Sequence, residues 1–279
     1  MNRKIGVTGG SGFIGQYLIS DYGDRFDFVV ATSRNRTEGL CPKAEYVKTD
    51  YNIEGFKQVF RGCEAIVHFG GKVMHGMDSG INLNPYLENL TLADNLFQAC
   101  RELNIANIVN ASSVAVYDQI SEIPVREEDP LQPNSAYGIA KITVEKLAEL
   151  YNRKYGFKIK SLRYAQGIGY GKNMDSSRFW TICLNNSVKG LPIPVYGRGI
   201  TGRDIIYVRD MARAAICAME KGNISGVFNI GTEVITSNRD IAEMYCSVFE
   251  NTSGGLFIIQ RNLRVELELV CHVKKQKKN

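Results

Sequence analysis

Between a β-forming run at Lys4 to Thr8 and a helical pattern opening at Phe13 stands the segment Gly9-Gly10-Ser11-Gly12-Phe13-Ile14-Gly15. Glycines at 9, 12 and 15 let a backbone turn tightly from strand to helix and approach a ligand closely. The helix N-terminus behind them offers unpaired N–H groups and the positive end of a dipole, which suits a pyrophosphate. The spacing is G-x-x-G-x-x-G rather than G-x-G-x-x-G. Its place on a strand–turn–helix at the start of the chain nevertheless predicts a dinucleotide site.

The same alternation continues downstream. Phe26 to Thr32, Glu45 to Lys48, Ala65 to Phe69, Ile108 to Ala111 and Lys158 to Arg163 read as strands. Helical patterns at Phe13 to Ser20, Ile53 to Phe60, Pro85 to Leu103 and Ser135 to Tyr155 separate them. This predicts an α/β fold, a Rossmann-type doubly wound parallel sheet. After Arg163, glycine, proline and polar residues break the pattern into short pieces through Arg203. Helices at Val208 to Glu220 and Asn238 to Phe249 follow, with a strand at Gly226 to Ile230 and short strands at Leu256 to Ile259 and Val265 to Val270. The expected organisation is a dinucleotide-binding domain over 1–165 and a smaller C-terminal substrate lobe over 166–279, with some lobe segments returning to the core.

Composition excludes several function classes. Lys274, Lys275, Lys277 and Lys278 supply four charges of a net +5, so the body is near neutral and lacks the basic stripe of a nucleic-acid binder. Seven dispersed cysteines with no C-x-x-C pair argue for reduced thiols and a cytoplasmic location. The three histidines, His68, His75 and His272, have no metal-ligand spacing, so no metal is expected. The strand pattern begins at once, so no signal peptide is expected, and no apolar run approaches the roughly 20 residues of a membrane span.

Two further signals carry chemistry. Tyr137 and Lys141 form a Y-x-x-x-K on a predicted helix, and the i, i+4 spacing places both on one face. An ammonium held beside a phenol suits proton exchange near neutral pH. Ser112 and Ser113 follow the fifth strand at the carboxyl edge of the sheet, where ligands of open α/β sheets bind.

Glycine loop, strand-end serines and Y-x-x-x-K, in that order, resemble the extended short-chain dehydrogenase/reductases, in particular the NAD-dependent epimerase/dehydratase group acting on nucleotide sugars. The resemblance runs from Lys4 to about Phe249. It implies a cofactor site at Gly9, Gly12, Phe13, Ile14 and Gly15. Asp50, at the adenine, and its neighbour Tyr51 belong to that site too. So do Phe69, Gly70 and Gly71 at the fourth-strand end, Asn89, which braces the site, and Tyr164. The implied catalytic set is Ser113, Tyr137 and Lys141, with Tyr137 and Lys141 also touching the cofactor. Gln166, Ser113 and Arg203 are implied at the substrate, Arg203 meeting its phosphates. Phe228-Asn229-Ile230-Gly231 is similar to a further family signature.

Departures from the family pattern bear on the activity. Gln166 stands where relatives usually carry Asn. Val114 and Ala115 follow Ser113, where sugar 4,6-dehydratases carry an acidic pair, so no carboxylate is placed for water elimination. Relatives continue beyond a helix such as Asn238 to Phe249, so the lobe is either reduced or cut short.

Cofactor choice turns on the end of the second strand. No acidic residue stands there before Glu38 to bind a ribose 2′-hydroxyl, whereas Ser33 and Arg34 could hold a 2′-phosphate. NAD or NADP is expected, with Ser33 and Arg34 tilting the choice toward NADP. The leading expectation is a nucleotide-sugar 4-epimerase-like enzyme in which Tyr137 removes a hydroxyl proton and hydride leaves and returns to the opposite face. An NADPH-dependent reductase of a keto-sugar or other ketone is the alternative, and a non-catalytic dinucleotide sensor is a third. His68 is expected as a packed strand-end residue and His75 in a loop near the site. The resemblance also implies a homodimer through the two long helices, to which Leu96, Leu103, Leu147 and Leu150 give apolar residues.

Overall fold

A computed structural model describes residues 3–32, 41–71, 84–117, 123–171 and 178–249, with the backbone of 256–259 and 268–269. In chain order the first elements are β1 (Arg3–Thr8), α1 (Phe13–Tyr22), β2 (Phe26–Thr32), β3 (Ala44–Lys48), α2 (Ile53–Phe60) and β4 (Ala65–His68). Then come α3 (Asn84–Glu102), β5 (Asn107–Ser113), a 3-10 turn (Val114–Val116), α4 (Ala136–Tyr155), β6 (Lys158–Tyr164) and β7 (Gln166–Ile168). The chain continues through α5 (Phe179–Val188), β8 (Ile193–Tyr196), β9 (Gly202–Tyr207), α6 (Val208–Glu220) and β10 (Gly226–Ile230). It ends with β11 (Ile235–Ser237), α7 (Asn238–Val248), β12 (Leu256–Ile259) and β13 (Glu268–Leu269).

Seven strands form one sheet in the order β10-β6-β5-β4-β1-β2-β3, every neighbouring pair parallel. Because side chains alternate along a strand, both faces must be covered, and each is. Val67 and Val109 face one cluster with Leu18, Ile19 and Ile216, from α1 and α6. Their neighbours Ile66 and Ile108 face the other, with Phe56, Phe60, Leu96, Phe97 and Val144 from α2, α3 and α4. The sheet is therefore doubly wound, as its alternating pattern predicts. Strand order reverses between β1 and β4, and that switch point opens a crevice at the carboxyl ends of these strands.

Local chemistry sets the helix ends. The Ser135 side chain accepts from the Gly138 N–H at the start of α4, and Gly156 closes that helix in the left-handed region at φ +70°. Asn52 caps α2 in the same way, and Ser237 with Asp240 forms a capping box on α7.

The chain divides into two compact units, Met1–Asn173 with Ile206–Gly231, and Met174–Ile205 with Thr232–Asn279. In the first, α6 packs against α1 and β10 extends the sheet beyond β6. In the second, β8 pairs with β12 in parallel and β12 with β13 antiparallel, while α5 packs on α7. The helix α5 falls where the sequence reads as broken pieces. Its composition, Phe179 to Val188, is rich in aromatic, β-branched and Asn residues, and its N-cap Arg178 makes no side-chain cap bond. Burial of the Trp180 ring and Cys183 stabilises it, so tertiary packing overrides propensity.

Candidate active site

The β1–α1 turn has the geometry of an anion cradle. Gly9 sits at φ +70°, and a Cβ there would lie 2.7 Å from the Phe69 carbonyl carbon and 2.8 Å from the Gly70 nitrogen. A Cβ on Gly15 would stand 2.4 Å from the Gly9 oxygen. Only hydrogen fits at either place. The Gly12 N–H donates to the Gly9 carbonyl at 2.9 Å, which closes the turn. Gly12 is the N-cap of α1 and has no side chain to satisfy the first N–H groups, and no acidic residue stands in the first turn. Phe13 and Ile14 open that helix, half-buried, with Ile14 packed on the core. A phosphate-bearing dinucleotide fits these groups.

The β4 end is tied to this turn through Thr8. Its hydroxyl oxygen accepts from the Gly70 N–H at 3.0 Å and pairs with His68 Nδ1 at 2.6 Å. Burial, reinforced by the Lys141 charge, lowers the His68 pKa to about 3, so the imidazole is neutral. Thr8, His68, Asn110 and Ser161 stand opposite one another on β1, β4, β5 and β6, forming a buried polar row across the sheet. Asn110 Nδ2 donates to Ser161 Oγ at 3.2 Å. Sequence reasoning misses Asn110, whose one signal is a lone polar position within an apolar strand.

Asp50 and Tyr51 follow β3. Asp50 is exposed, and Tyr51 adopts φ +59°. The Tyr51 hydroxyl donates to the Ala31 carbonyl at 3.5 Å, and its ring stacks on Phe56 with centroids 5.6 Å apart. Both therefore stand beside the end of β2. Ser33, Arg34 and His75 lie outside the described residues.

The third part of the site is built by β5 and α4. Ser113 ends β5 in extended conformation, and its Oγ accepts from the Ala115 N–H at 3.2 Å, capping the 3-10 turn. Tyr137 and Lys141 lie on one face of α4, with Lys141 Nζ 5.6 Å from the Tyr137 ring centroid. The buried Tyr86 ring packs at 5.8 Å from that of Tyr137 and holds it from the α3 side. His68, Gly70, Asn89, Asn110, Tyr137 and Lys141, with Ala140 and Val144, border a small cavity. Asn89 Oδ1 lies 3.2 Å from where a Gly71 Cβ would be. The structure thus gathers Gly9, Phe69, Gly70, Gly71, Asn89, Tyr137 and Lys141 around one carboxyl edge.

Three residues stand differently. Tyr164 is buried in the core and its hydroxyl donates to the Met211 carbonyl at 3.0 Å, which leaves its backbone at the sheet edge. Burial alone pushes its phenol far above the usual range. Gln166 is half-buried in β7. Arg203 belongs to the second unit, exposed on β9 opposite Thr236. Among the described residues no group of three or more His, Cys, Asp or Glu could hold a metal, and no helix is long and apolar enough to cross a membrane.

The NAD dependent epimerase/dehydratase family matches the chain over residues 5–231. A dTDP-4-dehydro-6-deoxyglucose reductase of Escherichia coli is 28% identical over 253 residues, covering 85% of this chain and 80% of the relative. The crystal structure of UDP-N-acetylglucosamine 4-epimerase from Bacillus cereus aligns with a TM-score of 0.83 at 27% identity, covering 94% of this chain and 86% of the other. UDP-glucose 4-epimerase from Thermus thermophilus, solved in complex with NAD, gives 0.79 at 25% identity, covering 95% and 88%.

Proposed function

This chain is an enzyme of the NAD-dependent epimerase/dehydratase family, and we propose that it inverts a secondary-alcohol centre of a nucleotide sugar by reversible hydride transfer. The observation that carries the reading is the convergence of the glycine turn with Tyr137 and Lys141 at one sheet edge, with Ser113 ending the neighbouring strand. Bound against Gly9, Gly12 and Gly15, the dinucleotide supplies the hydride acceptor and donor. Tyr137 takes the proton of the substrate hydroxyl and later returns it. Ser113 donates a hydrogen bond to the same oxygen. Lys141, anchored on the Ala111 carbonyl at 2.6 Å, holds positive charge beside the phenol and faces the ribose hydroxyls. Phe69 to Gly71 and Asn89 bound the cofactor, while Asp50 and Tyr51 serve its adenosine end. The first unit binds the cofactor. The proposed substrate contacts are Arg203, at the phosphates, and Gln166 on β7. The absence of an acid at Val114 and Ala115 favours inversion over water elimination.

A second reading, an NADPH-dependent keto-sugar reductase, draws support from the similarity to the Escherichia coli reductase and from Ser33 and Arg34. Mass spectrometry of the ligand that copurifies with native protein separates the two. Tightly held NAD supports the epimerase. Loosely held NADP, with turnover only of a keto-sugar, replaces it by the reductase. We further propose a cytoplasmic homodimer paired through α3 and α4, whose outward faces carry Leu87, Ile139 and Leu150.

A further inference from the structure

A buried ion pair lies behind the turn that carries Ser113. Arg163 on β6 and Glu145 on α4 each keep 3% of their side-chain surface exposed. They meet in a bidentate pair, Nε to Oε1 at 3.0 Å and Nη2 to Oε2 at 2.7 Å. Such a pair contributes little net stability, because desolvation offsets the attraction. Its use must be sought in what else it holds. Glu145 Oε1 accepts from the Ser112 hydroxyl at 2.5 Å, immediately before Ser113. Arg163 Nη1 donates to the Tyr117 hydroxyl, immediately after the 3-10 turn, and to the Glu127 carbonyl at 3.0 Å. Tyr117 in turn donates to Asn229 Oδ1 at 3.0 Å, and Asn229 Nδ2 donates to the Val125 carbonyl at 2.9 Å. Burial raises the Tyr117 pKa and the Arg163 contact only partly opposes this, so the phenol stays neutral and able to donate.

The pair therefore grips the turn from both sides, Ser112 before it and Tyr117 after it. The helix that supplies Glu145 also supplies Lys141 and Tyr137, one and two turns earlier on the same face. It presses directly on the turn as well, since a Cβ on Gly138 would stand 2.3 Å from the Ala115 oxygen.

We propose that the Glu145–Arg163 pair is a positioning clamp that fixes the direction of Ser113 relative to Tyr137, acting through Ser112 and Tyr117. This rests on the reading of Ser113 and Tyr137 as the pair that meets the substrate oxygen. Neutralising Glu145 would leave a buried guanidinium unpaired and endanger the fold. The test therefore cuts the two hydroxyl ends. Ser112→Ala and Tyr117→Phe are assayed as full-length protein beside wild type and Tyr137→Phe. The readouts are 4-epimerisation of UDP-glucose and UDP-N-acetylglucosamine, NAD affinity and thermal unfolding. Each cut is expected to lower kcat by about tenfold while KM and NAD affinity stay within about twofold. Ser112→Thr, which restores the hydroxyl, should return kcat to within about threefold of wild type. If kcat holds in both cut variants while Tyr137→Phe is inactive, the clamp is overturned and the site reading stands. Equal losses in kcat and NAD affinity would mark a merely structural role and overturn it too. Turnover retained by Tyr137→Phe, or absent from wild type, removes the site reading and the clamp with it.

Discussion

Lys141 Nζ donates to the Ala111 carbonyl at 2.6 Å, so the ammonium is held by β5 rather than left free on the helix surface. That bond orients Lys141 toward both the Tyr137 ring and the small cavity. Lys141→Met should lower kcat and weaken cofactor affinity together, each by about tenfold or more, since one charge-assisted contact contributes about 1.5–3 kcal/mol. Isothermal titration with cofactor checks it. Unchanged affinity would show that Lys141 does not meet the ribose.

Tyr137→Phe deletes the hydroxyl proposed to exchange the proton and keeps the ring that packs on Tyr86. Activity should fall at least about a hundredfold with cofactor binding nearly intact. Normal turnover in this variant would remove Tyr137 from the chemistry.

Arg34 carries the sequence argument for NADP. A 2′-phosphate and an arginine form paired, charge-assisted hydrogen bonds, whose removal costs roughly 2–3 kcal/mol, or about 30- to 150-fold. Arg34→Ala should weaken NADP by that factor and barely change NAD. Titration of both cofactors decides it, and wild type that binds NAD as tightly as NADP makes Arg34 a surface residue.

Lys160 is buried on β6, where its ammonium donates to Asn107 Oδ1 at 2.6 Å. Burial, with Lys158 nearby, lowers its pKa from the ordinary 10.5 to about 8. The unfolded chain then binds more protons between those values, so this group's contribution to stability rises as pH climbs from 8 toward 10.5. Below pH 8 the folded state carries the buried charge. Thermal unfolding at pH 7 and 9.5 should show wild type gaining relative to Lys160→Met. Parallel pH curves for the two proteins would contradict a lowered Lys160 pKa.

Homodimer formation is the remaining prediction. Leu96 is fully buried against the sheet, and Leu103 and Leu147 pack on the same cluster, which leaves Leu150 with Leu87 and Ile139 facing outward. Light scattering at micromolar concentration should give a dimer for wild type and a monomer for the Ile139→Glu, Leu150→Glu double variant. A wild-type monomer ends the proposal.

Much of the fold is legible because its elements are strongly periodic. The boundaries of β2, α2, α6 and β10 fall where hydrophobic spacing places them, at Phe26–Thr32, Ile53–Phe60, Val208–Glu220 and Gly226–Ile230. The segment holding α5 and β7 to β9 is opaque because its elements are short and made by packing. At the candidate site, the glycine turn and Y-x-x-x-K announce themselves through local spacing. Glu145 does not. On sequence it is one more acid on a helix, and its burial depends on Arg163 arriving from a strand 18 residues further on. Asn229 is linked to Glu127 across 102 residues, a separation that no local pattern encodes.

The return of Ile206–Gly231 to the first unit has a consequence for synthesis on the ribosome. A nascent chain that has emerged through β6 already contains the glycine turn, Ser113, Tyr137 and Lys141. It lacks β10, so β6 is an unpaired edge open to wrong partners. Asn229, which secures Tyr117 and the carbonyl of Val125, has not yet been made. The whole first segment of the second unit, 174–205, must be translated before that edge is sealed. Cofactor present during translation could therefore engage the growing polypeptide before the Ser113 turn acquires its last restraint.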